Sequence, residues 1–285
     1  MFTSLHSSST ARGSVITIIQ SLPIRNCLLY ICSVELINNT LKSKTYIPLP
    51  RNTCFHGSPD LPSYQTFNYK LNLMPEAISE LVRQLIHSFK SQDCDSMKSL
   101  VDSMPIITCA GKNKVGKVAT EITSKGYCST KNMYYFGLKL HAVAFRRKGT
   151  IPFPEMLILS AADENDSTVF KRECVGNLNN REIYADKIYS DIPFYKETKE
   201  CKKLELFTPV KAIKGESPEI TKREKAARDL FSTAVSKVRQ PIEALFNWLN
   251  EKTNIQRAMK VRSTSGLLVH TMGKIAIALI TLIFN

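Results

Sequence analysis

The chain has 285 residues, 43% of them hydrophobic and 22% charged, so it can bury a sizeable core and is not dominated by disorder. Lysine and arginine number 39 against 25 acidic residues, a formal net charge of +14. This surplus favours nucleic acid as the partner, because each phosphate contacted by a lysine or arginine releases counterions. An anionic membrane and a basic surface that only aids solubility are the alternatives.

The eight cysteines stand singly, without a C-x-x-C pair, which argues against a zinc ribbon or redox motif. Scattered thiols are typical of a reducing compartment, so we expect a cytoplasmic protein. The early apolar run of residues 15–19 is interrupted by Gln20 and Pro23 before a signal-peptide core forms. The closing apolar run, residues 275–284, is about ten residues long where a spanning helix needs about 20, so we expect it to pack on the core, with no membrane partner.

The chain is predicted to have three parts. Residues 1–60 show no sustained period and read as a poorly defined accessory or degenerate region. Residues 61–95 form a helical segment, because apolar residues recur at spacings of three and four after Pro75 and Glu76. Residues 96–285 carry the strands and helices of the main domain.

Strand patterns dominate the first half of the main domain. An apolar run, residues 100–109, contains one carboxylate, Asp102, and residues 133–145 alternate as a long strand does. Residues 156–160 read as the hairpin partner of that strand. A further strand, residues 182–186, ends at Asp186.

Helices follow in the second half. Helix starts are predicted at Asn165 and at Asp191, a short strand at residues 205–210, and helices from about Lys222 onward with a break at Pro241. Strands interspersed with helices predict an α/β fold with a mixed sheet flanked by helices.

Three acids have settings that suggest more than a solvated surface. An ionised Asp102 among Val and Ile is costly to desolvate unless a cation or donors meet it, although an Asp before Ser and Pro is also a good turn former. Asp186 ends a strand, whereas other nearby acids look like helix caps. Glu243 borders a buried helical stripe, and the alternative is a surface pair with Arg239 four residues earlier.

If the three acids converge, their mutual repulsion requires a cation. Two carboxylates about 4 Å apart repel by roughly 4 kcal/mol at an effective dielectric near 20. Hard oxygen ligands favour Mg²⁺ or Mn²⁺. Two such ions activate a water or 3′ hydroxyl for in-line phosphoryl transfer, and a basic surface would hold the DNA.

Four motifs carry a family resemblance from about Leu61 to the carboxyl terminus. They resemble, in the same order, those of DDE transposases of bacterial insertion sequences. The resemblance implies a ribonuclease H-like catalytic domain and Mg²⁺-dependent strand cleavage and strand transfer on double-stranded DNA. It also implies that Asp102, Asp186 and Glu243 are the metal ligands, and that the protein is a homodimer on DNA in the bacterial cytoplasm, near the nucleoid. The motifs are Val101-Asp-Ser-Met-Pro105, Gly126-Tyr-Cys-Ser-Thr130 with Tyr135-Phe-Gly-Leu-Lys-Leu-His141, Ala185-Asp-Lys-Ile-Tyr189, and Arg239-x-x-x-Glu243-x-Leu-Phe246.

The chain departs from the family pattern at two positions and at its start. Ser236 stands where related elements often have Tyr, and Asn250 stands where a Lys is expected. Residues 1–60 do not resemble the family's helical DNA-binding region, which suggests a truncated or decayed copy. The alternative function is therefore an inactive relic that acts only as a basic DNA-binding protein.

Six further residues receive predicted roles. Arg239, Lys187, Arg146 and Arg147 are candidates for DNA contacts, although a basic hairpin tip is often only solvated. His141 and Tyr189 are candidates for contacting the metal ligands without binding the metal themselves. His141 as a general base is the alternative to a histidine that hydrogen-bonds within the sheet.

Overall fold

The computed structural model describes residues 64–112, 115–211 and 215–284. The described residues divide into two compact units, one that combines residues 64–89 with 261–284 and one within residues 90–260. The helices and strands, in chain order, are α1 (Tyr64–Asn72), α2 (Pro75–Ser88), β1 (Cys94–Ala110), β2 (Ser124–Cys128), β3 (Met133–Arg147), β4 (Phe153–Ala161), α3 (Asp166–Val169), β5 (Arg181–Tyr184), α4 (Ile192–Lys202), β6 (Leu204–Phe207), α5 (Pro218–Arg239), α6 (Pro241–Thr253) and α7 (Thr264–Phe284).

The first unit contains the helical segment that the spacing predicted. Helix α2 begins at Pro75, whose missing N–H is tolerated in a first turn. Its apolar stripe, which includes Ile78, Leu81 and Leu85, is buried. Helices α1 and α2 both pack against α7.

The closing helix is longer than the sequence suggested. The prediction of about ten residues, 275–284, was wrong in length, because α7 begins at Thr264 and has 21 residues. Its 20-residue span Thr264–Ile283 has a mean hydropathy of 1.9, so by length and composition it is apolar enough to cross a membrane. In this structure 44% of that span is buried, with α2 as a neighbour.

The second unit is built on a six-stranded mixed sheet. Strand β3 pairs antiparallel with β1 on one side and with β2 and then β4 on the other. Strand β5 pairs parallel with β1, and β6 pairs parallel with β5. This curled sheet with flanking helices is the ribonuclease H-like α/β fold that the sequence predicted.

The alternation along β1 separates two faces of the sheet, since successive side chains of a strand point in opposite directions. Val101 belongs to a buried cluster with Phe170 and Leu178, from the short helical turns that follow β4. Asp102 therefore points to the other face. Helices α5 and α6 both contact β1, and they supply the partners of Asp102 described below.

Candidate active site

Asp102 and Asp186 are brought together by the parallel pairing of β1 with β5. Leu100 lies opposite Tyr184 in the register. Asp102 lies within β1 two residues beyond Leu100, and Asp186 lies two residues beyond Tyr184, just after the end of β5. The two carboxylates are near enough for the charge of Asp186 to raise the pKa of Asp102. Asp186 begins a short helical turn, where its Oδ1 accepts a hydrogen bond from the Lys187 N–H at 2.7 Å.

Glu243 is positioned by the break between two helices. Helix α5 ends at Arg239, and α6 begins at Pro241 with Glu243 in its first turn. The apolar side of α6, which includes Ile242 and Leu245, is buried, and α6 contacts β1. The packing of α6 thus holds Glu243 at the sheet face that carries Asp102.

One guanidinium joins two of the carboxylates. Arg239 donates from Nη1 to Asp102 Oδ2 at 2.7 Å and from Nη2 to Glu243 Oε1 at 2.5 Å. The Arg239 side chain is only 15% exposed, and its buried Nε has no hydrogen-bond partner. The surface pair of Arg239 with Glu243 anticipated from their spacing is present, and it extends inward to Asp102.

The pKa of the Asp102 carboxyl is affected by the charges of both other acids. This pKa is raised to about 6, mainly by burial and to a smaller extent by the charges of Glu243 and Asp186, while Arg239 and the Ser103 N–H act in the opposite direction. That N–H donates to Asp102 Oδ1 at 2.8 Å. A buried carboxylate flanked by two others is a site where added positive charge is favourable.

The donor chemistry fits a hard divalent cation, because all three acids offer carboxylate oxygens. Two of them, Asp102 and Glu243, are held by the Arg239 guanidinium. Within the described residues, no three His, Cys, Asp or Glu side chains stand close enough together to hold a metal ion. Arg239 supplies the positive charge between Asp102 and Glu243 in this arrangement.

His141 and Tyr189 both lie in the core. His141 pairs with Ser103 in the sheet register, so its side chain is on the face opposite Asp102. Its Nε2 is 2.8 Å from Ser160 Oγ, and burial lowers the pKa of its imidazole to about 4. Tyr189 is buried with its hydroxyl unpartnered, and burial raises its pKa well above the usual value.

The predicted DNA-binding residues are not all brought to the carboxylates. Arg147 lies at the far end of β3, where its Nε donates to both oxygens of Asp93 at 2.9 Å. Arg146 lies beside it and is partly buried. The Lys187 side chain is exposed immediately after Asp186. Arg239 and Lys187 therefore flank the acids, whereas Arg146 and Arg147 do not.

An open groove next to the carboxylates was not anticipated from the sequence. It has a volume of about 540 Å³ and runs beside the last turns of α5. The signal for it is a stretch of small hydroxyl residues in an otherwise strongly charged helix. The lining residues are Asp229, Ser232, Thr233, Ser236, Lys237, Arg239, Gln240 and Glu243.

A second polar network lies on the opposite face of the sheet. Asp166 accepts hydrogen bonds from the Lys139 ammonium at 2.8 Å and from the Ser103 hydroxyl at 2.9 Å. Ser103 thus connects the Asp102 strand to the helix start at Asp166. The sequence identified Asp166 only as part of a helix start, and the cap itself is Asn165.

Comparison with known proteins gives one match. A family model described as transposase DDE domain matches residues 81–280. This range includes Asp102, Asp186 and Glu243. No curated protein and no solved structure matches the chain.

The buried His141 predicts acid sensitivity. Its folded pKa of about 4 lies below the usual 6.5, so between these values the unfolded chain binds a proton that the folded chain does not. Stability is therefore lost as pH falls from about 6.5 to 4, by about 3 kcal/mol from this group. We expect His141→Asn to lose correspondingly less over this window in denaturant titrations. An equal loss of unfolding free energy in the parent and in His141→Asn would contradict the attribution of this acid sensitivity to His141.

The Arg239 bridge predicts competition with metal. Arg239→Met removes the guanidinium between two carboxylates, so Mn²⁺ is expected to stabilise this variant more than the parent protein. The extra rise in melting temperature should be about 2–4 °C, equivalent to about 1 kcal/mol. The matched control is Arg228→Met, on the same helix, whose guanidinium pairs with Glu216 and Glu224. An Mn²⁺ shift no larger in Arg239→Met than in the control would refute the competition.

Proposed function

This chain belongs to the transposase DDE domain family, and we propose that it catalyses metal-dependent DNA strand cleavage and strand transfer at the ends of an insertion sequence. The observation that carries the proposal is that Arg239 bridges Asp102 and Glu243, while Asp186 follows the strand that pairs parallel with the Asp102 strand. The three acids come from a central strand, the end of its parallel neighbour, and the first turn of a packed helix. Their charges act on one another at Asp102.

In the proposed mechanism, Asp102, Asp186 and Glu243 would be the residues that hold Mg²⁺ or Mn²⁺. The chemistry such ions supply is activation of a water or 3′ hydroxyl and stabilisation of the leaving oxygen. Asp102 has one oxygen bound by the Ser103 N–H and the other by Arg239. Asp102 would offer that second oxygen to an ion only if Arg239 gave up this contact.

Arg239 then has a second role. A guanidinium presents paired N–H groups in a planar fork that fits phosphate oxygens as well as carboxylates. Released from Asp102, Arg239 remains next to Glu243 and at the edge of the groove beside α5. We assign it to a phosphate next to the cleaved bond, with Lys187 as a second cation beside Asp186.

The groove beside α5 is the proposed path of the DNA backbone towards the acids. Lys237 supplies a charge there, and Thr233 and Ser236 supply hydroxyl groups. Lys237 and Thr233 are exposed, so both are accessible to a phosphate. Ser236 occupies the position where related elements often have Tyr, so the contact made by that ring is replaced here by a shorter hydroxyl.

A non-catalytic DNA-binding role is the second candidate. It is favoured by the Arg239 bridge, which already neutralises Asp102 and Glu243 without a metal. Asn250 in place of the expected Lys points in the same direction. The two candidates share the fold and the DNA, and they differ in whether divalent metal supports cleavage.

We also propose the setting of the reaction. Two element ends require two active sites, which a homodimer on double-stranded DNA supplies. The scattered thiols support a reducing location such as the cytoplasm. The packing of α7 against α2 supports a helix that stabilises the protein without membrane attachment.

Cleavage of DNA that carries the element's own ends tests the enzymatic proposal. The parent protein is expected to cut with Mg²⁺ or Mn²⁺ and not with EDTA. Asp102→Asn, Asp186→Asn and Glu243→Gln should each lower the rate by at least about 100-fold, since each removes a charged metal ligand. Asp163→Asn is the control. This exposed acid accepts a hydrogen bond from Ser124 at the start of β2, so its removal should leave the parent rate unchanged. Full cleavage activity in any of the three variants would contradict the assignment of that residue as a metal ligand.

The groove predicts a change in the salt dependence of DNA affinity. Lys237→Gln should weaken binding to any duplex sequence and reduce the slope of log K against log salt by about 1, as loss of one phosphate contact does. Lys225→Gln removes the same charge from the same helix outside the groove and should leave the slope nearer the parent value. Fluorescence anisotropy at several salt concentrations measures both, and an equal effect of the two changes would argue against the groove.

A further inference from the structure

The hairpin of β2 and β3 carries two exposed aromatic rings side by side. Tyr127 and Tyr134 lie opposite each other in the register, with ring centroids 5.0 Å apart and planes inclined by 55°. They are 49% and 59% exposed. The Tyr127 hydroxyl donates to Asn132 Oδ1 at 2.6 Å, which fixes one ring. Contiguous exposed aromatic surface of this kind marks an interaction site more often than a single exposed ring does.

The hairpin is packed so that this face cannot turn inward. Along β2, Gly126 and Cys128 are buried while Lys125 and Tyr127 are exposed. A Cβ at Gly126 would lie 2.3 Å from the carbonyl oxygen of Ala162, so only glycine permits this close approach. The tyrosines are therefore held outward by the tight packing of the strand behind them.

The hairpin that carries the rings also carries two lysines, Lys125 and Lys131. The Lys125 ammonium lies 5.3 Å from the centroid of Tyr134. Lys131, in the hairpin turn, donates to the neutral Gln256 Oε1 at 2.7 Å, which leaves its charge uncompensated by that contact. A carboxylate at this hairpin, Asp163, accepts from the Ser124 hydroxyl at the start of β2. Aromatic rings interspersed with lysines are the composition that binds nucleic acid strands.

We propose that this surface, defined by Lys125, Tyr127, Lys131 and Tyr134, binds unpaired DNA bases by stacking. In duplex DNA the base faces are covered by neighbouring bases, so ring stacking selects single strands, strand ends or locally opened pairs. The lysines hold the adjoining phosphates. This inference rests on the proposed function only in taking DNA as the ligand.

The surface is separate from the carboxylates. Asp102 pairs with Ala142 on β3, and Tyr134 lies eight residues earlier on the same strand. At about 3.3 Å per residue this corresponds to about 26 Å along the strand. A single strand bound at the tyrosines thus reaches a part of the sheet that the reacting phosphate does not occupy, and its binding does not require divalent metal.

A second copy of this chain is the competing occupant, because β2 lies at an edge of the sheet. Lysines on an edge strand discourage pairing between identical copies, since equal charges approach each other. Lys125 lies on β2 itself, and Lys131 lies in the turn that follows it. The charge therefore favours DNA as the occupant.

The test measures binding of the full chain, in EDTA, to a single-stranded oligonucleotide of about 20 nucleotides and to its duplex. Changing both Tyr127→Ser and Tyr134→Ser should weaken single-strand binding by about ten-fold or more and duplex binding much less. Tyr127→Phe with Tyr134→Phe keeps the rings and should bind as the parent does. Tyr69→Ser, at an exposed tyrosine of α1, is the matched control and should also bind as the parent does.

A second measurement needs no variant. An oligonucleotide containing 2-aminopurine should lose fluorescence on binding the parent protein, because stacking on an aromatic ring quenches it. Unchanged fluorescence on binding, equal single-strand affinity in the serine variant, or a change of oligomeric state instead of affinity would each overturn the proposal. Loss of binding in the serine variant with no metal-dependent cleavage by the parent would support this surface and reject the proposed enzymatic function.

Discussion

The salt bridge through which Arg239 joins Asp102 to Glu243 is the interaction on which the candidate site depends. Asp102 lies in the middle of an apolar strand with only 22% of its side chain exposed, and an uncompensated charge there is costly. Arg239 meets that charge from a helix far along the chain, at 2.7 Å. Since breaking a buried pair leaves one charge exposed to a low dielectric, any ligand that takes Arg239 away must bring positive charge of its own.

This constraint links the helices to the chemistry. The break at Pro241 ends α5 at Arg239 and starts α6 so that Glu243 falls in its first turn. Burial of the apolar side of α6 then holds both residues against β1. The same two side chains that stabilise the metal-free site are those that a cation and a phosphate would engage. Stability of the fold and readiness for catalysis therefore involve the same contacts.

Much of this arrangement was predictable from the sequence, because local patterns encode it. The alternation of residues 133–145 predicted β3, and the Pro75 start predicted α2. The assignment of the three acids to a metal site stays a prediction from strand and helix context together with family motifs. The span of α7 was underestimated because Lys274 and His270 looked like its boundary, yet both lie within the helix. His141 lies on the face of the sheet opposite Asp102 because it pairs with Ser103. This register between two strands cannot be read from either segment alone.

The contacts between residues far apart in the chain could not be predicted from the sequence. No local sequence pattern shows that Arg239 bridges two carboxylates, or that Arg147 forms a salt bridge with Asp93.

The central claim is that Asp102, Asp186 and Glu243 bind a divalent cation that displaces Arg239. Anomalous diffraction from crystals grown with Mn²⁺ and a DNA end tests it most directly. The account predicts a manganese peak in contact with carboxylate oxygens of Asp102 and Asp186, with Arg239 moved onto a phosphate. A structure without that peak, in which Arg239 still bridges Asp102 and Glu243, would contradict it.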